Sequence, residues 1–420
     1  MDNFHLSRNS FNNLRFSLFS LQLHFVVIWL LCVALFVDAV LSLSPSSSSS
    51  PQNSSASNFS SSKLCDPTVK QYSGYIQTSD GSNMYFWFLE SRNNPTSSPL
   101  PLFINDGPGC SSMIGLFQEL GPCSSLPNGT NTTINPYSWN NVSNVLFVDQ
   151  PVGAGFSYGN NYLTSSQQAA SDLFEFMQIW CAKFPQYASL PFHIFGESYA
   201  GHYIPPFALM ILSGTSDLLS VNLLNINLSV QKPMMNLKSI GIGDGWIDPM
   251  IQYESLMDYS QQNSLVSSGV FSNMSASLPE DYINFLPKPE VMSAIGAKTQ
   301  YIECNPDAYI AFTDTADLQV ARTSISQLGQ LMNCGIPALF YFGDSDANCN
   351  WIGGLNVTKS INWKYQKNFN SATLRDFNVN NAAVGQVQSS NGLTFLKMYQ
   401  SGHEVPFINH KMRSRSLIVG

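Results

Sequence analysis

Charged side chains are scarce in this chain of 420 residues. Lys, Arg, Asp and Glu make up only 11% of it, whereas typical soluble domains contain about 25%. Acidic residues outnumber basic ones by 27 to 19, for a formal net charge of −8. Because nucleic-acid binding needs a basic face that neutralises phosphates, we expect no nucleic acid as a partner. The low charge also excludes a coiled coil or a long helical rod with a highly charged surface.

Two common motifs for metals and phosphates are missing as well. No Cys-x-x-Cys pair occurs, and among the six histidines only His193 and His202, and His403 and His410, lie within ten residues of each other, so we expect no zinc site. No Gly-x-x-x-x-Gly-Lys-Ser/Thr phosphate loop occurs either. We therefore expect no metal site and no nucleotide bound at such a loop.

A long hydrophobic run is also lacking, because the apolar stretch at residues 25–37 has only thirteen residues. A helix that spans a bilayer needs about 20. Arg8 and Arg15 precede the stretch and small residues follow it, which predicts a secretory signal peptide over 1–42 rather than a membrane anchor. The mature chain is therefore expected to have no membrane span. Residues 43–63 are rich in Ser and predict a flexible linker or a propeptide.

Potential glycosylation sites agree with a secretory route. Asn-x-Ser/Thr triplets begin at Asn53, Asn58, Asn128, Asn131, Asn141, Asn227, Asn273 and Asn356. We expect an extracellular protein, with the vacuole as the alternative destination. Seven cysteines remain after the signal peptide, so at least one is free or pairs with another chain.

Apolar runs alternate with helical patterns in the rest of the chain. Strands are predicted at residues 85–90, 100–104, 145–149, 192–195, 239–243, 336–342 and 393–399, and helices at 165–184 and 199–212. This alternation predicts an α/β fold, with a mostly parallel sheet flanked by helices, in a domain over 64–420. Residues 246–316 are helical and irregular, which predicts an insertion that caps the carboxyl edge of the sheet.

The strongest chemical motif is Gly-Glu-Ser-Tyr-Ala-Gly at residues 196–201. It lies between a predicted strand and a predicted helix, which is the context of a nucleophile elbow. Small residues at Gly196 and Ala200 allow the tight turn, and the helix N-terminus favours a developing anion next to Ser198. The motif therefore predicts Ser198 as a nucleophile.

A serine nucleophile needs a histidine base that a carboxylate orients. Five histidines have other expected positions, namely the signal peptide (His5, His24), a strand (His193), a buried helix (His202) and a polar tail (His410). His403 remains, in a loop that directly follows the last predicted strand. Asp344 and Asp346 both follow the strand at 336–342, and their spacing leaves both open as the acid.

Six sequence blocks extend this pattern along the chain. They are NDGPGCSS (105–112), GLFQELGP (115–122), VLFVDQPVGAGFSYG (145–159), FGESYAGHYIP (195–205), GDSDANCNW (343–351) and SGHEVP (401–406). In this order they resemble the serine carboxypeptidases, above all the secreted fungal members. The resemblance implies an α/β-hydrolase fold with a helical cap insertion and no cofactor. It also implies release of single residues from the carboxyl ends of peptides and proteins, at acidic pH.

The resemblance further implies roles for individual residues. It implies that Asp346 is the catalytic acid and that Asp344 is a residue that stabilises the turn. Backbone N–H groups of Gly107 and Tyr199 would form the oxyanion hole. The residues implied to bind the terminal carboxylate of the substrate are Asn105, Glu119 and Glu197. Cys65 and Cys304 would form a long-range disulfide, Cys349 would be a free thiol, and we interpret Cys110 as a buried free thiol.

Some positions depart from the family pattern. Asp106 stands where most relatives have glycine, and its charge would either repel a substrate carboxylate or require a proton of its own. After Pro406 the sequence no longer resembles the family, so we expect the closing helix to be missing and the chain to be truncated. Two rival hypotheses remain, namely an acyltransferase or esterase on the same scaffold and an inactive secreted binding protein.

Overall fold

The computed structural model describes residues 59–105, 107–214, 235–263, 281–313 and 322–408. Within these ranges no helix is long and apolar enough to cross a membrane. The apolar run near the N-terminus lies outside the described residues, and the signal peptide stays a prediction.

Twelve strands occur in the described residues. They are β1 (Gln71–Gln77), β2 (Asn83–Leu89), β3 (Leu100–Ile104), β4 (Cys123–Ser125), β5 (Thr132–Ile134), β6 (Val145–Val148), β7 (Pro191–Glu197), β8 (Asn236–Gly243), β9 (Ala338–Gly343), β10 (Arg375–Val379), β11 (Ala382–Ser390) and β12 (Leu393–Met398). Ten of them form one sheet in the order β1-β2-β6-β3-β7-β8-β9-β12-β11-β10. The six central strands are parallel, and the two strands at each end pair antiparallel. The mostly parallel sheet predicted from the sequence is confirmed.

Eleven α-helices occur in the same residues. They are α1 (Ser166–Lys183), α2 (Pro185–Ala188), α3 (Ala200–Ser213), α4 (Pro249–Gln262), α5 (Asp281–Phe285), α6 (Pro289–Ile295), α7 (Pro306–Thr313), α8 (Ile325–Asn333), α9 (Trp351–Ser360), α10 (Gln366–Ser371) and α11 (Val405–Ile408). A π-helical turn covers Gly115–Glu119, and 3-10 turns cover Pro127–Gly129 and Trp139–Asn141.

Apolar clusters cover both faces of the sheet. On β2, Phe86 and Phe88 belong to the cluster formed with α1, α3 and α8, whereas Tyr85 and Trp87 belong to the cluster on the opposite face. Because successive side chains of a strand point to opposite faces, a strand covered on both sides must be apolar throughout. This explains why continuous apolar runs, such as Val145–Val148, mark the central strands.

The segment expected to cap the sheet is helical where the structure describes it. Between residues 246 and 316 the described part contains α4, α5, α6 and α7 and no strand. Isolated backbone bridges join Cys304 to Cys110 and Ile302 to Gly155, so this segment contacts the loops that follow β3 and β6. Its role as a cap stays a prediction.

Two parts of the fold differ from the sequence-based expectations. The polar hairpin β10–β11 was not predicted, because most of its residues are exposed or half-buried and form no apolar run. Asn380 and Asn381, at its turn, have φ of 52° and 64°, which is the backbone conformation that Asn tolerates in a tight hairpin.

The domain begins earlier than expected. Phe59 contacts the ring of Phe86, with centroids 5.2 Å apart, so residues 59–63 belong to the domain rather than to the linker.

The disulfides correct the predicted pairing. The structure joins Cys65 to Cys123 and Cys110 to Cys304, so the predicted Cys65–Cys304 pair and the free thiol at Cys110 are wrong. The physical reason lies in the backbone around Cys110 and Cys304. Antiparallel hydrogen bonds from Ser111 N to Glu303 O (2.7 Å) and from Asn305 N to Gly109 O (3.0 Å) bring these two segments of the chain together. The expected free thiol at Cys349 is confirmed.

We expect peptide mapping without reduction to recover the Cys65–Cys123 and Cys110–Cys304 pairs. Replacing both Cys65 and Cys123 by Ser should lower the free energy of unfolding by about 2–5 kcal/mol, because the unfolded chain loses a cross-link. Denaturant titration measures the change, and Cys334→Ser, at a free cysteine, is the matched control. A cross-linked peptide that contains Cys65 and Cys304 would contradict the structure.

Candidate active site

Ser198 lies in a tight turn between β7 and α3. Its φ is +59°, in the left-handed region that residues other than glycine rarely adopt. A Cβ at Gly196 would lie 2.6 Å from the carbonyl oxygen of Ile104 and 2.7 Å from Cβ of Ala200, so the turn excludes any side chain there. The Ser198 carbonyl accepts hydrogen bonds from Gly201 N and Trp246 N. The strand-turn-helix context predicted for the motif is present.

His403 and Asp346 form a hydrogen-bonded pair. His403 Nδ1 lies 2.6 Å from Asp346 Oδ2, and Asp346 Oδ1 accepts from the backbone N–H groups of Asn348 (2.8 Å) and Cys349 (3.2 Å). By contrast, the Asp344 carboxyl accepts from the Ser345 hydroxyl. Of the two aspartates that the spacing left open, Asp346 is therefore the one that contacts His403.

The two members of this pair shift each other's protonation. Burial tends to raise the pKa of Asp346, but the charge and hydrogen bond of His403 and the two backbone donors lower it below 3.8. Burial tends to lower the pKa of His403, but the charge and hydrogen bond of Asp346 raise it above 6.5. The arrangement favours an ionised aspartate that orients the imidazole.

Two other histidines have structural contacts. His193 Nδ1 lies 2.7 Å from Ser239 Oγ, and His202 Nδ1 lies 3.2 Å from Ser324 Oγ. His5, His24 and His410 lie outside the described residues.

A cavity of about 130 Å³ opens at Ser198. Both residues expected to supply the oxyanion hole line it, together with Trp246, Tyr253, Tyr309, Asn348 and Cys349. Gly107 lies too close to its neighbours for a larger residue, since a Cβ there would be 2.6 Å from Sγ of Cys110. Tyr199 directly follows Ser198 and precedes α3, so its N–H belongs to the helix N-terminus. The structure thus brings Gly107 and Tyr199 to the same cavity as Ser198.

The three residues expected to bind a carboxylate are buried. Asn105 Nδ2 donates to Glu119 Oε1 at 2.7 Å, and Asn105 Oδ1 accepts from Gly115 N at 2.7 Å, which fixes the orientation of the amide. Glu119 is 1% exposed and Glu197 is 4% exposed. Burial, followed by the charges of Glu119 and Glu404, raises the pKa of Glu197 well above 4.5. Glu197 is therefore protonated in acid and can donate a hydrogen bond.

Sequence reasoning missed two acidic residues at the site. Asp244 directly follows β8 and is 0% exposed, and its carboxyl lies within hydrogen-bonding reach of Asp346. It also follows an apolar strand, which is the signal that led to Asp346. Glu404 directly follows His403, and its charge acts on both His403 and Glu197.

One group of potential metal ligands occurs in the described part of the chain. Ligand atoms of Asp346, Cys349 and His403 all lie within 4.8 Å of one another. A metal bound there would have to displace the hydrogen bond between His403 and Asp346.

The predicted glycosylation sites differ in their exposure. Asn128, Asn131 and Asn356 are exposed, as glycosylation requires. Asn141 is half-buried, and its amide donates to Pro136 O at 2.7 Å. The other four predicted asparagines (Asn53, Asn58, Asn227, Asn273) and Asp106 lie outside the described residues.

Comparisons with known proteins show which proteins this chain is similar to. A family model described as serine carboxypeptidase matches residues 62–283 and 270–418. The second match ends at residue 418, beyond Pro406, and the expected truncation stays a prediction. Carboxypeptidase S1 from Penicillium janthinellum is 33% identical over 404 residues, covering 82% of this chain and 93% of that protein. Carboxypeptidase Y homolog A from Leptosphaeria maculans is 35% identical over 416 residues, covering 82% and 73%.

A solved structure shares the fold. Kex1(delta)p, a prohormone-processing carboxypeptidase from Saccharomyces cerevisiae, aligns with a TM-score of 0.71 at 22% identity, covering 86% of this chain and 95% of that one.

The triad geometry generates a prediction about three variants. Ser198→Ala, His403→Ala and Asp346→Asn should each lower kcat for an activated ester by roughly 10³-fold or more, because each removes one part of a single proton-transfer system. Asp344→Asn is the matched control and should retain most of the rate. Stopped assays on folded variants measure the effect. An inactive Asp344→Asn beside an active Asp346→Asn would show that the acid is misassigned.

Proposed function

The chain belongs to the serine carboxypeptidase family and is a serine-type carboxypeptidase, and we propose that it releases single C-terminal residues from peptides in acid. The observation that carries this proposal is that the hydrogen-bonded pair His403–Asp346 meets the cavity at Ser198 through Cys349, which lines that cavity and donates its N–H to Asp346. Buried Glu119 acts on His403 and on Glu197. Ser198, His403 and Asp346 supply acyl transfer, and Glu119 and Glu197 supply a way to recognise a free carboxyl end.

The proposed reaction follows from these groups. Ser198 Oγ attacks the scissile carbonyl carbon while His403 takes the hydroxyl proton and Asp346 orients the imidazole. N–H groups of Gly107 and Tyr199 stabilise the oxyanion. His403 then gives its proton to the leaving amino acid, and an acyl ester remains on Ser198. Water, deprotonated by His403, hydrolyses the ester and restores the serine.

Selection of the chain end rests on Asn105, Glu119 and Glu197. An amide donor and protonated carboxyl groups can each donate a hydrogen bond to the terminal carboxylate of a peptide. An ionised glutamate would instead repel that carboxylate. We therefore propose that the substrate carboxylate is bound while the glutamates keep protons, which restricts tight binding to acidic pH.

The described part of the cap contributes to the same cavity. Tyr253 on α4 and Tyr309 on α7 line it next to Trp246. We propose that residues 246–316 form a cap that contacts the substrate on the side of the scissile bond facing the peptide chain.

The expected location in the secretory pathway has physical support. Two disulfides, Cys65–Cys123 and Cys110–Cys304, are typical of oxidising compartments. Three predicted glycosylation sites are exposed in the structure. We propose an extracellular destination, with the vacuole as the alternative.

The direct test is incubation of the purified protein at acidic pH with an N-blocked peptide, followed by mass spectrometry. We expect a ladder of products, each one residue shorter at the carboxyl end, and no products from Ser198→Ala. Turnover of an activated ester without any ladder would favour the esterase or acyltransferase hypothesis. Absence of both reactions would favour the inactive binding homologue.

The pH dependence of KM tests the role of the glutamates. The KM for a peptide with a free carboxyl end should rise steeply from acidic toward higher pH as Glu197 loses its proton, whereas the KM for its amide should change little. Glu197 also links the stability of the protein to pH. Its pKa is raised well above 4.5 in the folded protein, so the stability that protonated Glu197 contributes is present below pH 4.5 and is lost as pH rises through the folded-state pKa.

Matched variants sharpen this measurement. Glu197→Gln keeps a donor that does not titrate, so it should flatten the KM profile of the free peptide. Asp106→Gly removes one negative charge next to Asn105 and should make the rise in KM less steep. Parallel KM profiles for the free acid and the amide would show that these glutamates do not bind the substrate carboxylate.

A further inference from the structure

Asp244 is a buried acid that the proposed mechanism does not use. It follows β8, is 0% exposed and has a φ of +38°. Its N–H donates to Tyr341 O at 2.8 Å, and its Oδ1 accepts from Gly343 N at 2.9 Å. Both contacts are to the end of β9, just before the loop that carries Asp346. Asp244 therefore has a fixed position relative to that loop.

The second oxygen of this carboxyl has an unusual environment. Asp244 Oδ2 is buried, and no N–H or hydroxyl donor within the described residues reaches it. The group that faces the Asp244 carboxyl within hydrogen-bonding reach is the carboxyl of Asp346. Two ionised carboxylates cannot share such a contact, since neither has a proton to donate and their charges repel.

The ionisable groups around Asp244 are acidic or neutral. Asp346 faces it from the loop after β9, Glu119 from the π-helical turn and Glu197 from the end of β7. Three neutral groups also interact with Asp244, namely Tyr341 on β9, Tyr259 on α4 and Cys349. His403 contacts Asp346. Burial, followed by the charge of Asp346, raises the pKa of Asp244 well above 3.8.

We propose that Asp244 is a positioning residue that remains protonated and donates a hydrogen bond from its carboxyl group to the carboxylate of Asp346. Asp346 would then accept from four donors, namely the N–H groups of Asn348 and Cys349, His403 Nδ1 and the Asp244 hydroxyl. The last donor also holds the Asp346 loop against the ends of β8 and β9. This inference rests on the roles proposed above for Ser198, His403 and Asp346.

The extra donor has a consequence for the base. Each hydrogen bond to a carboxylate stabilises its charge and makes the carboxylate a weaker partner for a cation. Asp346 with the Asp244 proton therefore stabilises the imidazolium of His403 less than Asp346 without it. His403 stays neutral, and so able to take the proton of Ser198, at a lower pH. This property suits an enzyme whose peptide binding requires acid.

Two variants separate this role from a purely structural one. Asp244→Ala removes the donor, so the acid limb of kcat/KM should move to higher pH, and the rate at the optimum should fall by roughly tenfold, as expected for one charged hydrogen bond. Asp244→Asn can accept from Gly343 N through its oxygen and donate to Asp346 through its amide. It should restore most of the rate lost in Asp244→Ala and return the acid limb to its original position.

The assay uses an activated ester, because this substrate has no free carboxylate and therefore does not report on Glu119 and Glu197. An acid limb that moves to lower pH in Asp244→Asn would show that Asp244 is ionised in the native protein and would overturn the proposal. An acid limb that does not move in Asp244→Ala would overturn it as well. If Asp244→Ala does not fold, Asp244→Asn alone tests the proposal, and its acid limb should keep the position that it has in the native protein.

An infrared measurement distinguishes failure of this proposal from failure of the proposed function, since it needs no turnover. The difference spectrum between the native full-length protein and Asp244→Asn at mildly acidic pH should contain the C=O band of one protonated carboxyl group, lost in the variant. Loss of a carboxylate band instead would contradict the proposal even if the enzyme is active.

Discussion

The central constraint on this site is the burial of four carboxyl groups in one small region. Glu119, Glu197, Asp244 and Asp346 are each at most 5% exposed. Burial penalises every ionised carboxylate, and mutual repulsion adds to the penalty, so the four groups cannot all lose their protons. Asp346 has the strongest donors, including His403, and its pKa is lowered, whereas the pKa values of Glu197 and Asp244 are raised. One region thus favours ionisation of one acid and keeps the protons of its neighbours to higher pH, and each state has a distinct chemical use.

The parallel sheet explains why residues far apart in the chain meet there. Asn105 follows β3, Ser198 follows β7, Asp244 follows β8 and Asp346 lies in the loop after β9, and all these strands run in the same direction. His403 lies five residues after the end of β12, which pairs parallel with β9. The carboxyl ends of parallel strands meet at one edge of the sheet, so five separate loops deliver their side chains to a common place.

The same geometry explains which features could be predicted from the sequence. Apolar runs covered on both faces identified the central strands, and the residues directly after them included Ser198, His403 and the two candidate aspartates. Spacing could not separate Asp344 from Asp346, because the choice depends on which carboxyl turns toward His403. The Cys110–Cys304 disulfide depends on the backbone bridge between these two residues, a long-range contact that no local pattern encodes. The polar hairpin β10–β11 escaped notice because exposure removes the apolar signal.

The central claim is that one activated serine performs the chemistry, and covalent labelling tests it most directly. An organophosphonate that mimics the tetrahedral intermediate should add once per chain, and digestion followed by mass spectrometry should place the adduct on Ser198. The adduct should disappear when the protein is unfolded before labelling, since Ser198 is reactive only while the fold holds it in the elbow beside His403. An adduct on another residue, or no adduct on the folded protein, would contradict the account.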